Sequence, residues 1–173
     1  MKKANIILFI FLVIVVLSST IYFSAFYGHD HYDFTLYKKI YGDIVNCEKF
    51  DDMTSENEIT ISATKSKTSD DKSYSVSVIF ENPRFLMKDI NVLVVDQNPI
   101  EDIIYPSLGL IDDKSYDLVP NATNEDNQKD GISLVMRSEK DVDNLLIYFS
   151  YIKNDERIEH YYKVKVESKN NNA

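Results

Sequence analysis

Hydrophobic positions fall along this chain in three regimes. The first is an unbroken uncharged run from Ile6 to Phe26, reading IILFIFLVIVVLSSTIYFSAF. As a helix rising 1.5 Å per residue, that run spans about 31 Å, close to the ~30 Å hydrocarbon core of a bilayer. Lipid offers no water to backbone amides, so such a segment satisfies them within a helix despite its β-branched content. The second regime covers residues 27–57 and is mixed. Between Phe34 and Val45, Leu36, Ile40 and Ile44 recur every fourth position, as do Tyr37 and Tyr41. This spacing predicts a short amphipathic helix interrupted at Gly42, either extending the membrane helix or lying against the domain.

From Glu58 onward the period becomes two. Ile59, Ile61 and Ala63 alternate in a strand over Glu58–Thr64. After a turn at Asp70-Asp71-Lys72, Ser73–Glu81 places Tyr74, Val76, Val78 and Phe80 on one face and serines on the other, a half-buried strand ended by Asn82-Pro83. Asp89–Asp96 is nearly all aliphatic and predicts a strand buried on both faces. Ile100–Tyr105 and Tyr116–Val119 are weaker candidates, punctuated by prolines. After the polar stretch Asn121–Asp130, Ile132, Leu134 and Met136 alternate; Leu145–Ile152 follows, with Leu145, Ile147, Phe149 and Tyr151 on one face. A turn at Asn154–Arg157 leads into Ile158–Glu167, with Tyr162, Val164 and Val166 inward. Short strands at this spacing, with no helical periods between them, predict a mainly β protein: an antiparallel immunoglobulin-like β-sandwich after an N-terminal transmembrane helix.

The expected organisation is a cytoplasmic tip over 1–5, a transmembrane signal anchor over 6–26, a juxtamembrane segment over 27–57, the sandwich over 58–168 and a frayed tail over 169–173. Lys2 and Lys3 precede the apolar run and Asp30 and Asp33 follow it, so the positive-inside rule directs the N-terminus to the cytoplasm and the sandwich outside the cell membrane. The competing reading is a cleaved secretory signal and a secreted protein. Against it, the apolar run exceeds the ~7–15 residues of a signal core, and the small-residue site Ser18-Ser19-Thr20 leaves Ile21-Tyr22-Phe23 behind. Cys47 lies too far past the run to anchor a lipid.

Charge narrows the partners. All 28 acidic residues and 17 of the 19 basic ones lie beyond residue 26, which leaves that portion at −11. An acidic surface of this kind stays soluble and argues against nucleic acid, whose binding requires Lys and Arg. One Cys excludes an internal disulfide framework, and four Gly leave little for a phosphate-cradling loop.

The stretch from Gly131 through Ile132-Ser133-Leu134-Val135-Met136-Arg137 to Leu146-Ile147-Tyr148-Phe149-Ser150-Tyr151 has a Gly-led strand, a short polar arm and an aliphatic-Tyr strand in that order. It resembles the final strands of immunoglobulin-like extracytoplasmic modules of small membrane-anchored proteins of low-GC Gram-positive bacteria, as does the Lys/Asn/Ile/Tyr-rich composition. The resemblance implies a location and a fold more than an activity.

Candidate chemistry is sparse. His29-Asp30-His31-Tyr32-Asp33 carries ligand types for zinc or copper but no partner cluster in sequence. Asp126, Gln128, Asp130 and Gly131 fit the start of a hand-type calcium loop, yet its twelfth place falls on Arg137 where a bidentate Glu is required. Glu139, Asp141 and Asp143 could serve a looser calcium site. His160 reads as a surface or edge residue, and Cys47 stands alone among acidic neighbours. Asp51-Asp52 and Asp112-Asp113 read as turn residues, and Asn121-Ala122-Thr123 matches a glycosylation acceptor. No nucleophile or metalloprotease motif occurs. We therefore expect no catalytic, cofactor-binding or metal-binding residues and no cofactor. The expected function is a non-enzymatic binding or accessory protein, held to the membrane by its helix, that contacts a protein partner at the cell surface through loops or a sheet edge. Two other readings stay open: an extracytoplasmic hydrolase or metal-dependent enzyme, in which carboxylates converge with His160 or with His29 and His31, and a secreted cell-wall glycan-binding module using exposed Tyr148 and Tyr161.

Overall fold

The computed structural model describes residues 34–52, 58–69, 72–111, 114–122 and 128–169. The apolar run 6–26, His29 and His31 lie outside the described residues. Among those described, no helix is long and apolar enough to cross a membrane.

The described residues form one helix, α1 (Phe34–Val45), then β1 (Thr60–Lys67), β2 (Tyr74–Glu81), β3 (Lys88–Asp96), β4 (Ser107–Leu108), β5 (Asp117–Leu118), β6 (Gln128–Lys129), β7 (Gly131–Ser138), β8 (Asn144–Lys153) and β9 (Glu156–Ser168). Seven strands make one sheet in the order β4-β3-β8-β9-β1-β2-β7, nearly closed into a barrel; β5 and β6 form a small parallel pair beside it. The fold is mainly β, as the alternation predicts. It is not wholly antiparallel: Ala63, Thr64 and Lys65 of β1 pair in parallel with Val166, Glu167 and Ser168 of β9. The β8–β9 hairpin fixes the direction of β9, and β2 already occupies the other edge of β1. The hairpin is tight because Asn154 and Asp155 both adopt positive φ, 52° and 64°, in a two-residue turn whose twist matches the strands.

The interior of the near-barrel is one apolar core. It takes Ile61 and Ala63 from β1, Val76, Val78 and Phe80 from β2, Ile90, Val92 and Val94 from β3, Leu145, Ile147, Phe149 and Tyr151 from β8, and Tyr162, Val164 and Val166 from β9. Phe80 stacks on Phe149 at 5.6 Å across it. A second cluster lies on the opposite face of β3 and β8, where Tyr37, Ile40 and Ile44 of α1 cover Leu93, Val95, Leu146 and Tyr148. Those two strands are therefore apolar at nearly every position because both of their faces are buried.

The helix occupies the limits its periodicity predicts and lies against the domain. It runs through Gly42, which points to open space. It stops at Asn46, whose backbone N–H and side-chain Nδ2 both donate to the Gly42 carbonyl, at 3.2 and 2.8 Å. The buried stripe is Tyr37, Ile40 and Ile44, while Leu36 stays exposed. Strand limits shift by up to three residues, most for β1, which runs on to Lys67. The Ile100–Tyr105 candidate is a loop leading into β4.

Candidate functional site

A sheet that almost closes leaves two edges facing a gap. Here the edges are β4 and β7, and an open groove of about 1030 Å³ runs between them. One wall is β7 with the start of its following turn, Val135 to Lys140; the other is the loop from Ile100 to Ser107. Of the seven large apolar side chains exposed among the described residues, four line this groove: Ile100, Ile103, Ile104 and Val135. Ile104 and Val135 are 63% and 60% exposed. Exposed aliphatic side chains gathered in one groove make it the candidate contact site among the described residues.

The loop wall is held in place from beneath. Tyr37 of α1 accepts, at its hydroxyl oxygen, a 2.8 Å hydrogen bond from the Tyr105 backbone N–H. The Tyr105 hydroxyl oxygen in turn accepts from the Ile100 backbone N–H at 2.8 Å. Tyr41 stacks between them, 6.4 Å from the Tyr37 ring and 6.1 Å from that of Tyr105. Burial pushes both the Tyr37 and the Tyr105 phenols up, so they stay protonated at any physiological pH. The isoleucines are thus displayed by a loop tied to α1 through two tyrosines.

The hydrogen-bonding parity of the β7 wall follows from the sheet register. Thr68 N–H donates to the Ser73 carbonyl at 2.9 Å, which makes 68/73 a hydrogen-bonded pair of the β1–β2 hairpin. Along β2 the odd-numbered residues therefore turn their backbone groups to β1, and the even-numbered ones turn theirs to β7. Val76 faces Met136 and Val78 faces Leu134, so the even positions of β7 bond to β2. The backbone N–H and C=O of Ser133 and Val135 consequently point into the gap. Among the described residues no further strand pairs with β7 on that side. The opposite edge is guarded: β4 is two residues long and follows Pro106, which has no N–H.

Other charged and polar groups are committed elsewhere. Lys65 lies on the inner face of β1, 8% exposed, and its Nζ donates to the Val142 carbonyl at 2.8 Å and pairs with Asp141 and with Asp143 at 3.3 Å. Two of the three carboxylates proposed for calcium therefore hold the protein's own ammonium. Arg157 donates to Ser150 Oγ at 2.9 Å and pairs with Asp89. His160 lies on the core-facing side of β9 rather than outward, its ring between those of Tyr151 (6.1 Å) and Tyr162 (5.5 Å). Its Nδ1 is 3.2 Å from Asp51 Oδ2, and the same carboxylate accepts from the Tyr161 N–H at 3.2 Å, so Asp51 ties the chain after α1 to β9. Among the described residues no three His, Cys, Asp or Glu side chains converge as metal ligands would. Asp112-Asp113, Thr123 and Asp126 lie outside the described residues.

The tyrosine row expected for sugar binding is absent at its first member. Tyr148 is 1% exposed, because α1 covers the face of β8 that a simple sandwich would leave in water. Tyr161 packs edge-on against it at 5.4 Å. The groove itself escaped the sequence reading. Ile100–Tyr105 reads in the sequence as a weaker strand candidate, and its place between Pro99 and Pro106 is the signal that it is a loop. No protein-family model, curated protein or solved structure matches the chain.

Proposed function

We propose that this chain is a non-enzymatic binding or accessory protein, held in the cell membrane by residues 6–26 with its β domain outside, and that the groove between β4 and β7 is where it contacts a protein partner. The observation that carries this reading is the concentration of exposed aliphatic side chains in the one gap of an otherwise closed sheet, on a loop braced by Tyr37 and Tyr105. An exposed patch held rigid in advance costs little conformational entropy when it binds. An immunoglobulin-like assignment is supported by the strand order. The first strand lies antiparallel to the second and parallel to the last, and the chain crosses between the two halves of the sheet after β2, between β4 and β7, and again after β7.

Removing Ile6–Phe26 should release a soluble fragment whose circular dichroism is that of a β protein and whose C-terminal portion, in the uncut chain, is open to protease added outside intact cells. A photo-crosslinker at position 104 of the full chain should capture a membrane or surface protein. Protection of the C-terminal portion until the cells are broken would refute the placement, and an empty crosslinking lane would refute the contact site.

A further inference from the structure

We infer that β7 accepts an extended segment of a partner polypeptide as an added strand across the seam, the segment carrying aliphatic side chains at alternate positions and Lys or Arg at its flanks. This rests on the groove being a protein-contact site, and it specifies what enters.

Three features choose the mode. First, the Ser133 and Val135 backbone groups face the gap at ladder spacing, and a polypeptide strand satisfies such a row while a lipid tail does not. Second, β7 is weakly protected for an edge: its eight residues, GISLVMRS, hold no Pro and no Lys, and its one charged side chain is Arg137 near the C-terminal end. Third, the apolar side chains stand at the seam itself, so alternate side chains of an incoming strand would meet Ile103, Ile104 and Val135.

Charge chooses the occupant. Asp96 and Glu139 line the groove, and Glu101 and Asp102 stand exposed on the loop wall beside it, against Arg137 and Lys140. In the lining itself Asp96 and Glu139 balance Arg137 and Lys140, so the local acidic excess is that of Glu101 and Asp102, in keeping with the −11 of the whole portion beyond residue 26. A second copy pairing through β7 would bring two such surfaces together against their mutual repulsion. A basic-flanked segment from another protein gains from the same field in rate and in selectivity.

The test uses the full chain in mild detergent and a capped probe peptide of alternating Val and Thr with two Lys at each end. The peptide should bind, and binding should slow amide hydrogen exchange at Ser133 and Val135 at least tenfold, while Leu134 and Met136, already bonded to β2, change little. The same peptide N-methylated at its central amides should lose binding at least tenfold, and a version with Glu in place of Lys should bind several-fold more weakly. Val135→Pro removes an N–H directed at the gap and no ladder bond to β2, so it should leave the urea midpoint within a small shift and abolish peptide binding; Val135→Thr, which loses the same valine side chain but keeps the N–H, should bind at least tenfold more tightly than the proline variant. Equal binding of the N-methylated peptide, uniform protection along β7, or full binding by a folded Val135→Pro would overturn strand addition. So would a concentration-dependent dimer that protects Ser133 and Val135 without peptide, since that makes a second copy the occupant. If the proline variant does not fold, the exchange pattern of the unaltered chain decides. Capture of a protein from position 104 with no peptide protection would overturn strand addition and leave the contact site standing; no capture would remove both.

Discussion

Replacing Lys65 measures what a buried ammonium contributes to closing this sheet. The side chain points inward from β1, at the end of the near-barrel where the chain returns from β7 to β8, and it is 8% exposed. Its buried anchor is the Val142 carbonyl at 2.8 Å; the carboxylates of Asp141 and Asp143 are 58% and 85% exposed. In Lys65→Met those carboxylates rehydrate, so the two ion pairs count only as surface pairs, up to about 1 kcal/mol each. The charge-assisted bond to Val142 is worth about 1.5–3 kcal/mol. Met recovers part of this by burying a similar volume without desolvating a charge, about 1.5 kcal/mol. The net expectation is a loss of up to about 3.5 kcal/mol, and Lys65→Ala should cost about 2 kcal/mol more through the cavity. Urea unfolding followed by near-ultraviolet circular dichroism reads this directly, since the chain has 12 Tyr and no Trp. The pH dependence gives an independent check. Asp141, through its hydrogen bond, raises the Lys65 ammonium above its ordinary value despite the opposing effect of desolvation. A raised folded-state value means that this contribution is complete below about pH 10.4 and disappears as pH rises through the folded value. Tyr162 acts in the same direction, because burial pushes its phenol up to about 12. Stability should therefore fall above about pH 10, and less steeply in Lys65→Met. A methionine variant as stable as the original, with an unchanged alkaline slope, would refute the assignment of closure to this ammonium.

Tyr37→Phe leaves the Tyr105 N–H without its acceptor, and should cost about 1–3 kcal/mol in urea unfolding while speeding exchange of the Tyr105 amide; an unchanged amide would show that the α1 tether does not hold the loop. The Tyr151 hydroxyl is buried with no hydrogen-bond partner among the described residues, so Tyr151→Phe should be neutral or stabilising by up to about 1 kcal/mol, and a clear loss would mean the hydroxyl is satisfied. Gly109 sits at φ +69°, where an added Cβ would lie 2.5 Å from the Ile90 carbonyl oxygen and from the Asn91 side chain; Gly109→Ala should destabilise by more than about 2 kcal/mol, and a melting temperature within a degree of the original would contradict that geometry.

The sequence by itself determined the elements. Its period-two segments became β1, β2, β7, β8 and β9, its aliphatic run became β3, and the four-residue spacing of Ile40 and Ile44 became α1, because alternation and helical stripes are local consequences of where a Cβ points. Asn154-Asp155 likewise announced its turn through residues that tolerate positive φ. What only the tertiary structure decided is which faces meet. The apolar runs of β3 and β8 say that both sides are covered, but not that α1 covers one of them and so buries Tyr148. Nothing near Lys65 in sequence points to Asp141 and Asp143, more than seventy residues away, and two of the carboxylates weighed for a looser calcium site hold the chain's own cation. The groove is the extreme case. It is the space between the first and last strands of a sheet order that runs out of sequence, and a gap between edges has no residue pattern of its own until the register and the closure are set.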